Sequence, residues 1–196
     1  PLAEIDRRMA EEKVPKIPGL TPCSGGWAGY FGFETVGYVE PRLRRSDRPD
    51  MLKTPEILLL LSEELAVMDN KLGQLHLIVH ADPSQPQAYA RAARRLDQLT
   101  HRLRGSAPSY PEIIDPEVLT EADFVSGFTR EEFETAVRQC QEYILAGDAF
   151  QIVLSQRLSV PFRARPVDVY RALRALNPSP YMFFLDLGDM HVAGSS

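Results

Sequence analysis

The chain has 196 residues, 44% of them hydrophobic and 25% charged, with 27 acidic against 22 basic side chains and a net charge of −5. That balance excludes the concentrated basic footprint of a nucleic-acid module, and no apolar run approaches the roughly 20 residues that span a bilayer. Cys23 and Cys140, the two cysteines, form neither a disulfide framework nor a metal-ligand spacing, so we expect a reducing, cytoplasmic setting and no membrane partner.

The chain opens on a short amphipathic stretch with Leu2, Ile5 and Met9 on one side. It begins with a proline and stops at Gly194-Ser195-Ser196 directly after a strand pattern, which reads as a fragment incomplete at both ends. Residues 14–26 are linker-like, with Pro15, Pro18, Gly19, Pro22, Gly25 and Gly26. In Trp27-Ala28-Gly29-Tyr30-Phe31-Gly32-Phe33, period two puts Trp27, Gly29, Phe31 and Phe33 on one face and Gly26, Ala28, Tyr30 and Gly32 on the other. Glycines opposite large aromatics mark a strand that another backbone approaches closely. The segment 40–55 carries Arg42, Arg44, Arg45 and Arg48 and reads as a solvated loop.

From Ile57 the pattern is β. Leu65, Val67 and Asp69 alternate with Ala66 and Met68, Asn70-Lys71-Leu72-Gly73 supplies a turn, and Leu75, Leu77 and Val79 return, which makes a hairpin. Asp82-Pro83-Ser84 is expected to end it and cap a helix whose apolar face is Tyr89, Ala92, Leu96, Leu99 and Leu103. Arginines line the rest of that helix, and Gly105 stands where a C′ residue belongs. The prolines and serines of 105–123 interrupt any period, and this is the boundary candidate.

The remainder has a clearer grammar. Thr129-Arg130-Glu131-Glu132 is a capping box, followed by the stripe Phe133, Ala136, Val137, Cys140, Tyr143 and Ile144, which stops at Gly147. Phe150, Ile152, Leu154, Leu158 and Val160 are expected on one face of a strand that only Gln156 interrupts. Pro166 suits a first helical position, with Val169, Ala172, Leu173 and Leu176 as the core face. Asn177-Pro178-Ser179-Pro180 stops this helix, because each proline fixes its own φ and drives the preceding residue out of the α region. Tyr181–Leu187 and Met190–Ala193 then pair across Gly188-Asp189. Tyr181 and Met182, an amphipathic ring and a polarizable thioether, suit a flat apolar ligand with one polar handle, but residue chemistry alone favours the start of a half-buried strand.

No catalytic set is visible. His76 and His80 are four apart but lie on a strand and its exit, where they read as unrelated edge residues. Glu63-Glu64 and Glu131-Glu132 are adjacent and point apart, and Gly25-Gly26-Trp27-Ala28-Gly29 leads into a strand where a phosphate loop would lead into a helix.

Ala146-Gly147-Asp148-Ala149-Phe150-Gln151-Ile152-Val153-Leu154-Ser155-Gln156-Arg157, then Asn177-Pro178-Ser179-Pro180-Tyr181-Met182, then Gly194-Ser195-Ser196 resemble the anthranilate synthase component I family. Gly25-Gly26-Trp27-Ala28-Gly29-Tyr30-Phe31-Gly32-Phe33-Glu34-Thr35 resembles the same family's glycine–aromatic strand. The resemblance runs in order from the first linker to the last residue. It implies an α+β fold of mainly antiparallel sheets with packed helices. Residues 1–104 would be part of an N-terminal regulatory region, 105–123 a crossover, and 124–196 the start of a chorismate-binding domain.

The implied activity is a lyase reaction of tryptophan biosynthesis, chorismate with ammonia from a glutamine amidotransferase subunit giving anthranilate and pyruvate. Mg²⁺ would hold the substrate carboxylate, a hard cation on oxygen ligands. The family's chorismate and Mg²⁺ residues fall beyond Ser196, so no catalytic, cofactor-binding or metal residue carries over, and this chain by itself is expected to be inactive. The family's feedback site for L-tryptophan does reach the chain, at Pro180, Tyr181 and Met182; its other half, a Leu-Leu-Glu-Ser-type segment, would precede residue 1. Aminodeoxychorismate synthase is the nearest alternative, for which an Asn-Leu-Thr-type stretch would be expected at Val153-Leu154-Ser155. A non-catalytic regulatory or interaction module is the alternative of another class.

Overall fold

The computed structural model describes residues 1–15, 17–44, 50–106 and 118–196. The chain divides into two compact units, Pro1–Ser109 and Tyr110–Ser196. Most of the expected crossover, Pro108, Ser109, Pro111, Ile113, Ile114 and Pro116 included, lies outside the described residues, as do Arg45 and Arg48.

The first unit holds α1 (Leu2–Glu11), β1 (Gly26–Phe31), α2 (Val36–Val39), β2 (Ile57–Ser62), β3 (Glu64–Asp69), β4 (Gln74–Val79) and α3 (Ala88–Arg104). β1 pairs antiparallel with β2, and β3 with β4. The close backbone approach read from the glycines is at Gly29, where a Cβ would fall 1.9 Å from the Leu58 carbonyl oxygen. The β3–β4 hairpin forms as expected. Asp69 Oδ1 accepts from Lys71 N and Leu72 N (both 2.9 Å), and Gly73 takes φ +65 to close the turn.

β2 and β3 are one extended run that changes partner at Glu63, whose carbonyl accepts from His80 N (2.9 Å). The linker enters at that point. His80 Nε2 donates to the Ser24 carbonyl at 2.7 Å, since a carbonyl can only accept, and the His80 ring lies against Gly25. His80 is therefore a tie between linker and hairpin, which corrects its reading as an unrelated edge residue.

Two helix-end expectations fail here. α3 begins at Ala88, with Gln87 at its N-cap and no side-chain cap. Asp82 instead closes a local turn, accepting from Ser84 N and Ser84 Oγ (both 2.9 Å), because Pro86 holds the residue before it out of the α region. Gly105 has φ −71, a conformation open to any residue, and is not a left-handed C′. α3 packs on β4, and a bidentate Arg95–Glu64 pair (2.7 and 2.8 Å) ties it to β3.

The second unit holds β5 (Val125–Ser126), α4 (Arg130–Ala146), β6 (Leu158–Ser159), α5 (Pro166–Leu176), β7 (Met182–Asp186) and β8 (His191–Ser195), with β5 antiparallel to β6 and β7 to β8. α4 has both expected ends. Thr129 Oγ1 accepts from Glu132 N (3.2 Å) while the Glu132 carboxylate accepts from Thr129 N (2.8 Å). At the far end Gly147 takes φ +85, Gly147 N donates to Ile144 O (3.1 Å) and Asp148 N to Tyr143 O (3.0 Å), a Schellman closure. Phe128 and Phe133 meet edge to face at 5.9 Å, the hydrophobic staple across the cap.

The strand expected over 150–160 is reduced to Leu158–Ser159. Phe150 is 96% exposed, and an alternating pattern without a neighbouring strand has no ladder to join. Gln156, expected on the apolar face, is exposed and donates to Ser126 Oγ (2.8 Å). α5 also departs from expectation: it lies on the hairpin through Tyr170, while Val169 and Leu176 stay exposed. Among the described residues no hydrophobic side chain is fully buried.

Candidate functional site

The bend between α5 and β7 is built by the sequence at both ends. Pro166 starts α5 at a position whose N–H would be unsatisfied anyway. Arg165 Nε and Arg171 Nη1 hold Asp168 in its first turn at 2.6 and 3.3 Å. The helix ends at Asn177, which leaves the α region at φ −138 and ψ 70 ahead of Pro178. Beyond the bend, Gly188-Asp189 closes the β7–β8 hairpin in the expected register, with Leu187 N donating to Met190 O (3.0 Å).

An aromatic row fixes the helix to the hairpin. The Arg174 guanidinium lies 5.9 Å over the Tyr170 ring. Tyr170 meets Phe184 at 5.7 Å, and Phe184 stacks on His191 at 5.8 Å. His191 Nε2 in turn reaches Asp186 Oδ1 at 3.2 Å across the ladder. Each contact adds of order 1 kcal/mol or less, but together they set where α5 ends relative to where β7 begins.

Between those fixed ends, Pro178 and Pro180 offer no N–H donors. The bend is held by serine hydroxyls instead. Ser179 Oγ accepts from Tyr181 N (3.1 Å) and donates to the Ser196 carbonyl. Ser195 Oγ donates to the Asn177 carbonyl (3.0 Å).

Pro180 lies in this bend, Tyr181 is 74% exposed, and Met182 occupies the first ladder position opposite Ser195. Met182 is half-buried and shares its face with Phe184. On the other face the Phe183 ring covers Gly194, where a Cβ would fall 2.4 Å from two ring carbons. Phe183 and Gly194 are absent from the residues singled out by sequence. Their pairing was available from the Gly188-Asp189 turn, which sets 183 opposite 194 once the register is counted outward.

A cavity of about 210 Å³ lies in the first unit between the exit of β4 and the start of α3, among Glu64, His80, Asp82, Arg91 and Arg95. Its charges are engaged with one another. The Arg95 guanidinium holds the Glu64 carboxyl below its usual range, and the Ser84 hydroxyl, followed by weaker contributions that include the Arg91 charge, does the same for Asp82. Among the described residues no group of three or more His, Cys, Asp or Glu could hold a metal ion, and no helix among them is long and apolar enough to cross a membrane.

A family model described as chorismate binding enzyme matches residues 1–196. The chain is 48% identical over 199 residues to the anthranilate synthase component 1 of Pseudomonas aeruginosa and 47% identical to that of Neisseria meningitidis serogroup B. In both cases all of this chain and 40% of the relative are covered, so the chain spans about two-fifths of the length of the relatives it matches. Among solved structures it is similar to anthranilate synthase component I from Streptococcus pneumoniae TIGR4, with a TM-score of 0.78 and 32% identity over 97% of this chain and 42% of that one.

Proposed function

The chain belongs to the chorismate binding enzyme family, and from that premise we propose that it is the N-terminal and central part of an anthranilate synthase component I. The observation that carries this reading is identity of 46–48% sustained along the whole chain with relatives of that name. The α+β architecture and its likeness to a solved anthranilate synthase component I support the same fold.

The complete protein, on this reading, is a lyase of tryptophan biosynthesis in the cytoplasm. It takes chorismate and ammonia, the latter from a glutamine amidotransferase subunit, and releases anthranilate and pyruvate. Magnesium would supply charge neutralisation at the substrate carboxylate, held by residues outside this chain. What this chain's residues do is hold an effector face. The bend presents Tyr181 outward on a backbone stiffened by Pro178 and Pro180, with Met182 beside it. An aromatic amino acid could lay its ring on these two side chains, its polar end taking main-chain groups that the prolines keep out of regular structure. Inhibition then requires only that L-tryptophan bind one conformation better than another.

The test has two arms. The full-length protein given chorismate, Mg²⁺ and ammonium should produce anthranilate fluorescence, while the 196-residue chain alone should produce none. Aminodeoxychorismate as the product would overturn the assignment in favour of the related synthase. Met182→Thr in the full-length protein should raise the tryptophan concentration for half-inhibition about 10-fold, the equivalent of some 1.4 kcal/mol. An unchanged inhibition curve would remove Met182 from the effector face.

A further inference from the structure

The residue that most directly joins the bend to its neighbouring strand is Ser195, and it lies outside the Pro180–Met182 face. The Asn177 carbonyl is one of the last in α5, where helical partners have run out. The residue that follows is a proline, and so is the third, so the bend has few N–H groups with which to knit itself together. The Asn177 N–H donates backward, to the Leu173 carbonyl at 2.9 Å.

The remaining ties all come from β8 or pass through serine. Ser195 Oγ reaches the Asn177 carbonyl at 3.0 Å, and Ser179 Oγ links Tyr181 N at 3.1 Å to the Ser196 carbonyl. Two of these ties, Ser195 to Asn177 and Ser179 to Ser196, thus depend on the end of β8 sitting in its present register, with Met182 opposite Ser195. The reverse also holds, because a hydrogen bond constrains both its partners. Anything that orders the bend orders Ser195 and Ser196.

We propose that Ser195 is a positioning residue that couples the bend to the end of β8, transmitting occupancy of the Tyr181–Met182 face along the strand through its hydroxyl bond to Asn177. This deepens, and rests on, the effector reading given above. The Tyr170–Phe184–His191 row keeps α5 and the hairpin a fixed distance apart, so the movable part is the pair of serine ties and not the whole layer. Coupling between two sites is a free energy shared by both, typically a 5- to 150-fold effect, and a single hydroxyl bond lies at the lower end of that range.

The experiment compares the full-length wild type with Ser195→Ala and Ser195→Thr. L-tryptophan affinity is measured by calorimetry without chorismate, and residual anthranilate formation is measured at saturating tryptophan. Ser195→Ala should bind tryptophan within about threefold of wild type yet leave at least about fivefold more residual activity at saturation, and Ser195→Thr, which keeps the hydroxyl, should restore the wild-type floor. Equal floors in wild type and Ser195→Ala would overturn the proposal. So would an affinity loss that tracks the loss of inhibition, which makes Ser195 part of the pocket, or a Thr variant that behaves like Ala. Should Ser195→Ala fail to fold, Ser179→Ala removes the parallel tie and must show the same split. If tryptophan does not inhibit the wild type at all, the effector reading falls first and takes this inference with it.

Discussion

Two glycines, one in each unit, illustrate how little a residue's type alone says about its tolerance. At Gly29 an added Cβ would meet the Leu58 carbonyl oxygen at 1.9 Å. That atom belongs to the paired strand's backbone, so relief requires moving β1 off β2. At Gly194 the Cβ would meet the far edge of the Phe183 ring at 2.4 Å, and that ring is 45% exposed with room to rotate. In the full-length protein Gly29→Ala should therefore lower stability by about 2–3 kcal/mol. Gly194→Ala should cost about 1 kcal/mol, and less still in a Phe183→Ala background. Urea denaturation midpoints of the three variants check this. Equal costs for the two glycines would show that the β1–β2 pair yields as easily as a side chain.

At the scale of elements, the ends of α4 and α3 form a controlled contrast. Gly147, at φ +85, should lose about 1 kcal/mol on substitution by Ala, whereas Gly105→Ala, at φ −71, should stay within about 0.5 kcal/mol of neutral. The α4 cap also carries a pH dependence. The Thr129 N–H, and then its hydroxyl, hold the Glu132 carboxyl below its ordinary value. A carboxyl depressed on folding stabilises the fold above its unfolded pKa, near 4.5, and that contribution disappears as pH falls through the lower folded value. In a peptide spanning residues 127–148, helicity measured by circular dichroism should fall as pH drops below about 5, and more steeply than in its Glu132→Gln counterpart. Parallel curves would show that other acids set the slope.

What the sequence disclosed follows the same physics. The capping box, the Schellman glycine and both long hairpins are specified within a few residues, and all were legible. The strand over 150–160 and the core face of α5 depend on partners far away or outside the chain, and local pattern could not supply them. The bend was legible as a proline stop. Its ties to Ser195 and Ser196 were not, because they depend on which strand ends beside it.

For the whole molecule the deciding observation is the apolar surface left open in the Tyr110–Ser196 unit. Phe150 (96% exposed), Leu145, Val153 and Leu176 all face outward, and two-stranded ladders offer too little area to cover two amphipathic helices. Large exposed apolar patches mark contact surfaces or aggregation liabilities. Because the chain spans about two-fifths of its relatives' length, we expect these residues to be covered in the full-length protein and bare in the 196-residue chain. Phe150→Ser separates the two states by sign. In the short chain it should reduce aggregation, read as light scattering during storage at fixed concentration. In the full-length protein the same change should lower the stability by about 3 kcal/mol, the usual cost of truncating a buried aromatic, read as a lower unfolding midpoint. A full-length protein indifferent to Phe150→Ser would show that this ring faces water in both, and the 150–157 segment would then be a surface loop in its own right, not one strand of a sheet completed elsewhere.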